Sequence, residues 1–203
     1  MTGPGLLGYD SCTFCIKRVV MEISESQADE NAAPLSVSLA VQLLTAPSAF
    51  ASLTLNEAAK IVGFMKPARY DSGNCFIQEG DASDTGFMAL IIEGEVVVEN
   101  IVVDSFSPIT TAVLGAGELV GEMGLLDNGP RSASCTAATE LYCAVLTRND
   151  FFTLIVKEPA IGAKLMLGVS IRITGRLRET SRKLKLYAKM CQSMRAEMDR
   201  VIR

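Results

Sequence analysis

Between Arg69 and Thr147 the chain is a succession of short apolar and β-branched runs, each closed off by turn residues, and this pattern limits its fold more than any other feature. The runs are Cys75-Phe-Ile, Phe87-Met-Ala-Leu-Ile-Ile, Glu95-Val-Val-Val-Glu-Asn-Ile-Val-Val, Thr110-Thr-Ala-Val-Leu, Ser132-Ala-Ser-Cys-Thr and Leu141-Tyr-Cys-Ala-Val-Leu, with glycines 73, 80, 94, 115, 117 and 121 between or beside them. Many short strands at regular spacing predict a sandwich, barrel or jelly roll. The strand–helix alternation of a nucleotide-binding parallel sheet is missing. Glu93-Gly94-Glu95 predicts a tight hairpin.

Helical signals flank this region. Leu39, Leu43 and Leu44 recur at helical spacing before Pro47, and Leu53, Leu55, Ala58, Ala59, Ile61, Val62 and Met65 mark a second piece that ends at Lys66-Pro67. Thr147-Arg-Asn-Asp150 has the form of a capping box ahead of Phe151, and Pro159 suits the end of that helix and the first turn of the next. From Pro159 to Arg203 no proline recurs, and Ile173, Leu177, Thr180, Leu184, Tyr187, Cys191, Met194, Met198 and Val201 alternate in steps of four and three, which is a heptad seam. An unbroken helix of that length extends to roughly 65 Å, farther than so small a domain can cover, so part of it is expected to pair with a second copy. Gly162, Gly168 and Gly175 are expected to mark bends. The expected organisation is an extension over residues 1–35 with one short alternating run, a domain over 36–158, and a dimerising helix over 159–203.

Composition removes several kinds of chemistry. There is no histidine, which excludes His-ligated zinc, iron and haem as well as Ser-His-Asp and Cys-His catalysis. Cys12 and Cys15 form a C-x-x-C pair with no second pair at zinc spacing, and the six cysteines are expected to be structural or incidental thiols in a reducing cytoplasm. Residues 31–56 carry no charge, yet Ser36, Ser38, Gln42, Thr45, Pro47, Ser48, Ser52 and Thr54 make them too polar for a membrane span, so no membrane insertion is expected. The net charge of −4 is uneven: residues 172–203 hold ten Lys/Arg against three acids, a basic tail on an acidic body. The bland reading of that tail is a solvated helix, and nucleic acid is not expected as a partner.

The segment Gly117-Glu-Leu-Val-Gly-Glu122-Met-Gly-Leu-Leu-Asp-Asn-Gly-Pro-Arg131-Ser-Ala-Ser carries the chemistry. Glycines lead into a short helical turn whose outward N–H groups favour an anion. The same loop holds a carboxylate, Glu122, and a guanidinium, Arg131, nine residues apart, a combination that suits a ligand with both a phosphate and a sugar hydroxyl. On these residues alone, a surface ion pair between Glu122 and Arg131 is the favoured reading, and Asp127 reads as a turn residue.

The segment resembles the phosphate-binding cassette of the cyclic nucleotide-binding domain, found in bacterial cyclic-AMP receptor transcription factors, regulatory subunits of cyclic-AMP-dependent kinase and cyclic-nucleotide-gated channels. Ile77-Gln-Glu-Gly-Asp-Ala-Ser-Asp and Leu90-Ile-Ile-Glu-Gly-Glu-Val-Val-Val are similar to the family's second to fourth strands, so the resemblance covers about residues 40–180. It implies a mainly β fold, a jelly-roll-like β-roll with N-terminal helices and a long C-terminal dimerisation helix. It also implies a ligand site of Gly121, Glu122, Met123, Arg131, Ser132 and Ala133. Glu122 would accept from the ribose 2′-hydroxyl, Arg131 would pair with the cyclic phosphate, Gly121 would allow close backbone approach, and Ser132 with the Ala133 amide would add phosphate contacts.

The bacterial branch meets the purine with small hydroxylated residues on the long helix, where this chain has Arg176 and Leu177. Arg172 and Arg176 are therefore the candidates for contact with the base, with Ser170, Thr174 or Thr180 as substitutes. Cyclic-GMP sites of the kinase type often place threonine after the cassette arginine; Ser132 here favours cyclic AMP. No catalysis, metal or cofactor is implied. The expected function is a cyclic nucleotide sensor that signals through its C-terminal helix to a dimer or a protein effector. The alternatives are a ligand-independent scaffold and a truncated transcription regulator, since the chain stops at Arg203 within the heptads.

Overall fold

The computed structural model describes residues 33–46, 50, 52–83, 85–100 and 109–201. The Cys12/Cys15 pair, the alternating run at residues 16–23 and the Ile101–Val103 part of the valine-rich run lie outside the described residues.

Two helices enter, α1 (Ala33–Thr45) and α2 (Leu55–Val62). Ala40 and Leu44 of α1, one turn apart, are buried. Helix α2 starts at a full capping box: Thr54 accepts from the Glu57 amide and the Glu57 carboxylate accepts from the Thr54 amide. Its Ala58, Ile61 and Val62 pack into the core. Eight strands follow: β1 (Lys66–Tyr70), β2 (Cys75–Ile77), β3 (Phe87–Glu93), β4 (Val96–Asn100), β5 (Ile109–Leu114), β6 (Leu119–Val120), β7 (Ser134–Ala137) and β8 (Leu141–Thr147), with helix α3 (Glu122–Asp127) between β6 and β7. They form two antiparallel four-stranded sheets, ordered β1-β8-β3-β6 and β2-β7-β4-β5. Helices α4 (Arg148–Lys157) and α5 (Pro159–Val201) close the chain. The architecture is the expected β-roll with flanking helices.

Strand β3 shows why its sequence is a continuous apolar run instead of an alternating one. Met88, Leu90 and Ile92 face the helices, where they join Ala40, Leu44, Phe50, Ile61, Phe151, Leu154, Ile161 and Leu165 in one core. Ala89 and Ile91 face the interior of the roll, joining Tyr70, Ile77, Val96, Val120, Leu141 and Cys143 in a second. A strand covered on both faces has no position left for a polar side chain.

Two expectations change, and one glycine of the long helix gains a specific role. Glu93-Gly94-Glu95 is not a hairpin, because β3 and β4 belong to different sheets; Gly94, at φ 95°, turns the chain from one sheet to the other where a Cβ would lie 2.3 Å from the Glu140 carbonyl oxygen. The hairpin is β4–β5, with Val96 opposite Leu114. Lys66-Pro67 opens strand β1 instead of closing a helix, and its proline is tolerated because β1 is an edge strand. Helix α5 runs unbroken for 43 residues, and Gly162 serves close approach, since a Cβ there would meet Ile155 Cγ1 at 2.8 Å.

Helix α5 has two halves. Ile161, Leu165 and Val169 are buried against the domain, whereas every described side chain from Thr174 to Arg200 except Arg176 is exposed. The buried half is also tied to α2 by charge: Lys164 Nζ lies 2.7 and 2.9 Å from the two Glu57 carboxylate oxygens. That bond, with the Thr54 amide, lowers the Glu57 pKa from 4.5 to about 2. A lowered folded-state pKa contributes stability that is complete above pH 4.5 and is lost as the pH falls towards 2. Urea midpoints measured across that window should fall less steeply for Glu57→Gln than for the parent, which should be the more stable of the two at neutral pH. Parallel profiles would remove this contact from the account.

Candidate functional site

The site is built where β6, α3 and the return to β7 fold over the end of β3. Gly117, at φ 85°, turns the chain out of β5, and the backbone of Gly117-Glu118 pairs with Ile91 of β3. Leu119 and Val120 are buried on opposite cores. Gly121 then takes φ 76° to cap α3, whose far end is closed by Asn128 at φ 58° with its N–H on the Gly124 carbonyl. Asp127 fills the turn role expected of it, accepting from the Gly129 amide at 2.8 Å.

Arg131 comes back beneath this helix and is only 5% exposed. Its Nη1 donates to the carbonyls of Phe87 and Gly121, each at 3.1 Å, and its guanidinium lies 4.2 Å above the Phe87 ring centroid. A buried guanidinium has to keep such partners. Two glycines make the space for it: a Cβ on Gly121 would come within 2.8 Å of Nη1, and one on Gly124 within 2.9 Å of Nη1 and 2.5 Å of the Thr85 carbonyl. The arginine backbone is fixed as well, its N–H donating to Asp81 and its carbonyl accepting from Gly80, both at 2.8 Å. Asp81 is held below its usual carboxylate range by the Ser83 hydroxyl and amide, with Arg131 adding to the effect.

Glu122 is 2% exposed, so it is not half of a surface ion pair. Its partner comes from α5: Arg176 Nη1 is 2.5 Å from Glu122 Oε1, and Arg176 Nη2 donates to the Leu119 carbonyl at 2.6 Å. One turn earlier Arg172 repeats the arrangement, pairing with Glu118 and donating to the Gly117 carbonyl at 3.3 Å. Two arginines four residues apart on α5 thus grip two glutamates four residues apart in the β6–α3 segment. Glu122 Oε2 has no donor among the described residues.

The structure brings Gly121, Glu122, Met123, Arg131, Ser132 and Ala133 together on one loop–helix–loop unit. Met123 is 46% exposed, and Ser132 lies exposed with its Oγ 3.6 Å from Met123 Sδ. Asn100 of β4 donates to the Ser132 carbonyl at 2.7 Å, and Ser134 accepts from the Glu79 amide at 3.0 Å, which tie the loop to the second sheet. Arg172 and Arg176, expected at the base, have their guanidinium groups engaged by carboxylates and carbonyls of the cassette itself. Ser170, Thr174 and Thr180 are exposed on α5, with Thr174 donating to the Ser170 carbonyl. The reading from sequence missed Phe87, Gly124 and Glu118. The matched four-residue spacing of Glu118/Glu122 and Arg172/Arg176 was the signal available for the last of these. Cys135 sits close enough to feel the charges of Arg131, Glu122 and Arg176, but burial pushes its thiol up to about 12, leaving it neutral and unreactive at physiological pH. Among the described residues no group of three or more Cys, Asp or Glu side chains is placed to hold a metal ion.

Residues 67–158 match the family model of the cyclic nucleotide-binding domain. The chain is 40% identical over 79 residues to the cyclic AMP receptor protein of Thermus thermophilus, covering 39% of this chain and 35% of that protein. It is 30% identical over 127 residues to a CRP-like cAMP-activated global transcriptional regulator of Mycobacterium tuberculosis, covering 63% of this chain and 52% of that protein. Among solved structures, a cyclic nucleotide-binding domain from Methylobacillus flagellatus superposes with a TM-score of 0.66 at 28% identity, covering 74% of this chain and 83% of that one. The chain therefore spans between a third and about half of the length of these curated relatives.

Removing Arg176 strands a buried carboxylate. Arg176→Ala should destabilise the chain by about 1–3 kcal/mol, between the small worth of an exposed pair and the cost of breaking a fully buried one, because Arg176 itself is partly exposed. Adding Glu122→Gln, which deletes the stranded charge, should recover much of that loss in urea denaturation. Strictly additive losses would show that the two groups do not interact.

Proposed function

We propose, with residues 67–158 being a cyclic nucleotide-binding domain, that this chain is a cyclic nucleotide sensor whose occupancy is read by helix α5. The observation that carries the proposal is that one Gly-rich unit holds both a fixed, buried guanidinium, Arg131, and a fixed, buried carboxylate, Glu122, each anchored by other partners. A cyclic phosphate is an anion that Arg131 can meet with charge-assisted hydrogen bonds, supported by the Ser132 hydroxyl and the Ala133 amide. The ribose 2′-hydroxyl is a donor that Glu122 can accept, and a carboxylate has room for it because Oε1 alone serves Arg176. Gly121 keeps the backbone free of a side chain at the point of approach. The unit has donors and acceptors for holding a nucleotide and no activated nucleophile for cleaving one, so the role is regulatory binding.

Cyclic AMP is the favoured ligand. The relatives in Thermus and Mycobacterium are named for it, as are regulatory subunits of cAMP-dependent protein kinase in Emericella nidulans and Aspergillus fumigatus. Ser132 after the cassette arginine points the same way.

Coupling follows from sharing. Glu122 answers both to the ligand and to Arg176, so a ligand that draws on this carboxylate changes how firmly α5 is held against the roll. Binding energy can shift a helix only through such a difference in contact between two arrangements. The exposed half of α5 supplies the output. Leu177, Leu184, Tyr187, Met194 and Met198, each at least 60% exposed, line its seam, an apolar stripe that a second copy would cover as a coiled-coil dimer working in the cytoplasm.

Calorimetric titration of the full chain with cyclic AMP and cyclic GMP tests the ligand. Cyclic AMP should bind more tightly, and Arg131→Ala should weaken it by about 30-fold or more, the scale for truncating one partner of a buried charged contact. No heat with either nucleotide would leave the scaffold reading in its place. Sedimentation equilibrium tests the output: the parent should dimerise, and Leu184→Glu, which puts a charge into the seam, should shift it towards monomer. A monomer at every concentration would remove the dimer from the proposal.

A further inference from the structure

The exposed half of α5 carries a second ordered surface, on the side away from its seam. With Leu177, Leu184, Cys191 and Met198 at one repeating seam position and Thr180, Tyr187 and Met194 at the other, the outward positions are taken by Arg178, Arg182, Lys185 and Lys189. Spaced by four, three and four, these cations form one line about 16 Å long. All four are exposed, and none pairs with a described carboxylate. Neighbouring acids are committed elsewhere on the helix, Glu179 to Lys183 at 3.1 Å and Glu197 to Arg200 at 3.2 Å. Beside the line stands Leu186, 58% exposed, four residues after Arg182 and three before Lys189.

A solvated helix face gains by mixing its charges. This one places like charges at 178/182 and 185/189, four apart, and at 182/185, three apart, an arrangement that opposes helix formation until an anion covers it. The cations stand on one continuous helix, so their spacing follows the helical repeat. We propose that this line docks an acidic amphipathic helix of another protein, its carboxylates repeating at the same four–three–four spacing and an apolar side chain resting on Leu186. A nucleic-acid backbone would satisfy the four charges and leave Leu186 against phosphate, and for that reason a protein segment fits better. The surface faces away from the apolar seam, so it is available whether or not α5 pairs with a second copy, and the proposal does not depend on nucleotide binding.

The test is fluorescence anisotropy with the full chain and three labelled probes. The first is a helical peptide presenting glutamates at i, i+4, i+7 and i+11 beside one leucine, the second is the same composition scrambled, and the third is a short DNA duplex. The patterned peptide should bind most tightly, and the triple variant Arg182→Glu, Lys185→Glu, Lys189→Glu should weaken it by about tenfold or more, as expected for the loss of several exposed charge contacts. Leu186→Ser should weaken the peptide several-fold and leave the duplex unchanged. Far-UV circular dichroism of both variants checks that the helix persists. Absence of peptide binding, indifference to the charge reversal or to Leu186→Ser, or equal binding of the scrambled peptide or of the duplex would overturn the proposal.

Discussion

A carboxylate taken almost wholly out of water needs a counter-charge, and the one that answers Glu122 stands 54 residues further along the chain, on the exit helix. That requirement organises much of the molecule. To deliver Arg176, α5 must leave the domain along the edge of β6. To hold that course, Arg172 grips the preceding turn of the same segment, and Ile161, Leu165 and Val169 bury the helix face below it. A second buried charge, Arg131, sits on the other side of α3 and imposes its own demands: glycine at 121 and 124, a carbonyl from β3, and an aromatic ring beneath the guanidinium.

These two demands meet in the six residues of α3. The short helix is fixed from one side by a guanidinium that belongs to its own loop and from the other by a guanidinium that belongs to α5. A nucleotide seated there would take a phosphate contact from the first and share a carboxylate with the second. On the function proposed here, the unit that would hold the ligand and the joint that holds the helix are the same few side chains, so site and output would need no long relay.

Much of this was legible in the sequence because the residues concerned are local. The cassette from Gly117 to Ala133 is one continuous stretch, its glycines and the charges of Glu122 and Arg131 are visible in order, and the strand runs around it alternate with turn residues. What sequence could not show was distance in space. Phe87 reads as the start of an apolar strand, and nothing in its neighbours reveals that a guanidinium rests on it. Arg176 reads as a helical cation near the expected base, and its engagement with Glu122 depends on where the packing of α5 against the domain places it. The turn at Gly94 misled for a related reason: a glycine between two strands looks the same whether those strands pair or part into different sheets, and only the packing of Thr139 and Glu140 beneath it decides. The long helix was legible in length and period, whereas the role of Gly162 was not, because its lack of a side chain serves packing against Ile155 of α4.

The central claim is that one carboxylate joins ligand and helix, and hydrogen–deuterium exchange of the full chain with and without cyclic AMP tests it most directly. The account predicts that amides of the β6–α3–β7 segment, residues 119–134, change protection together with the α5 turns that carry Arg172 and Arg176, and that Arg176→Ala confines the change to the first segment. A ligand that protected residues 119–134 and left α5 unchanged in the parent chain would contradict it.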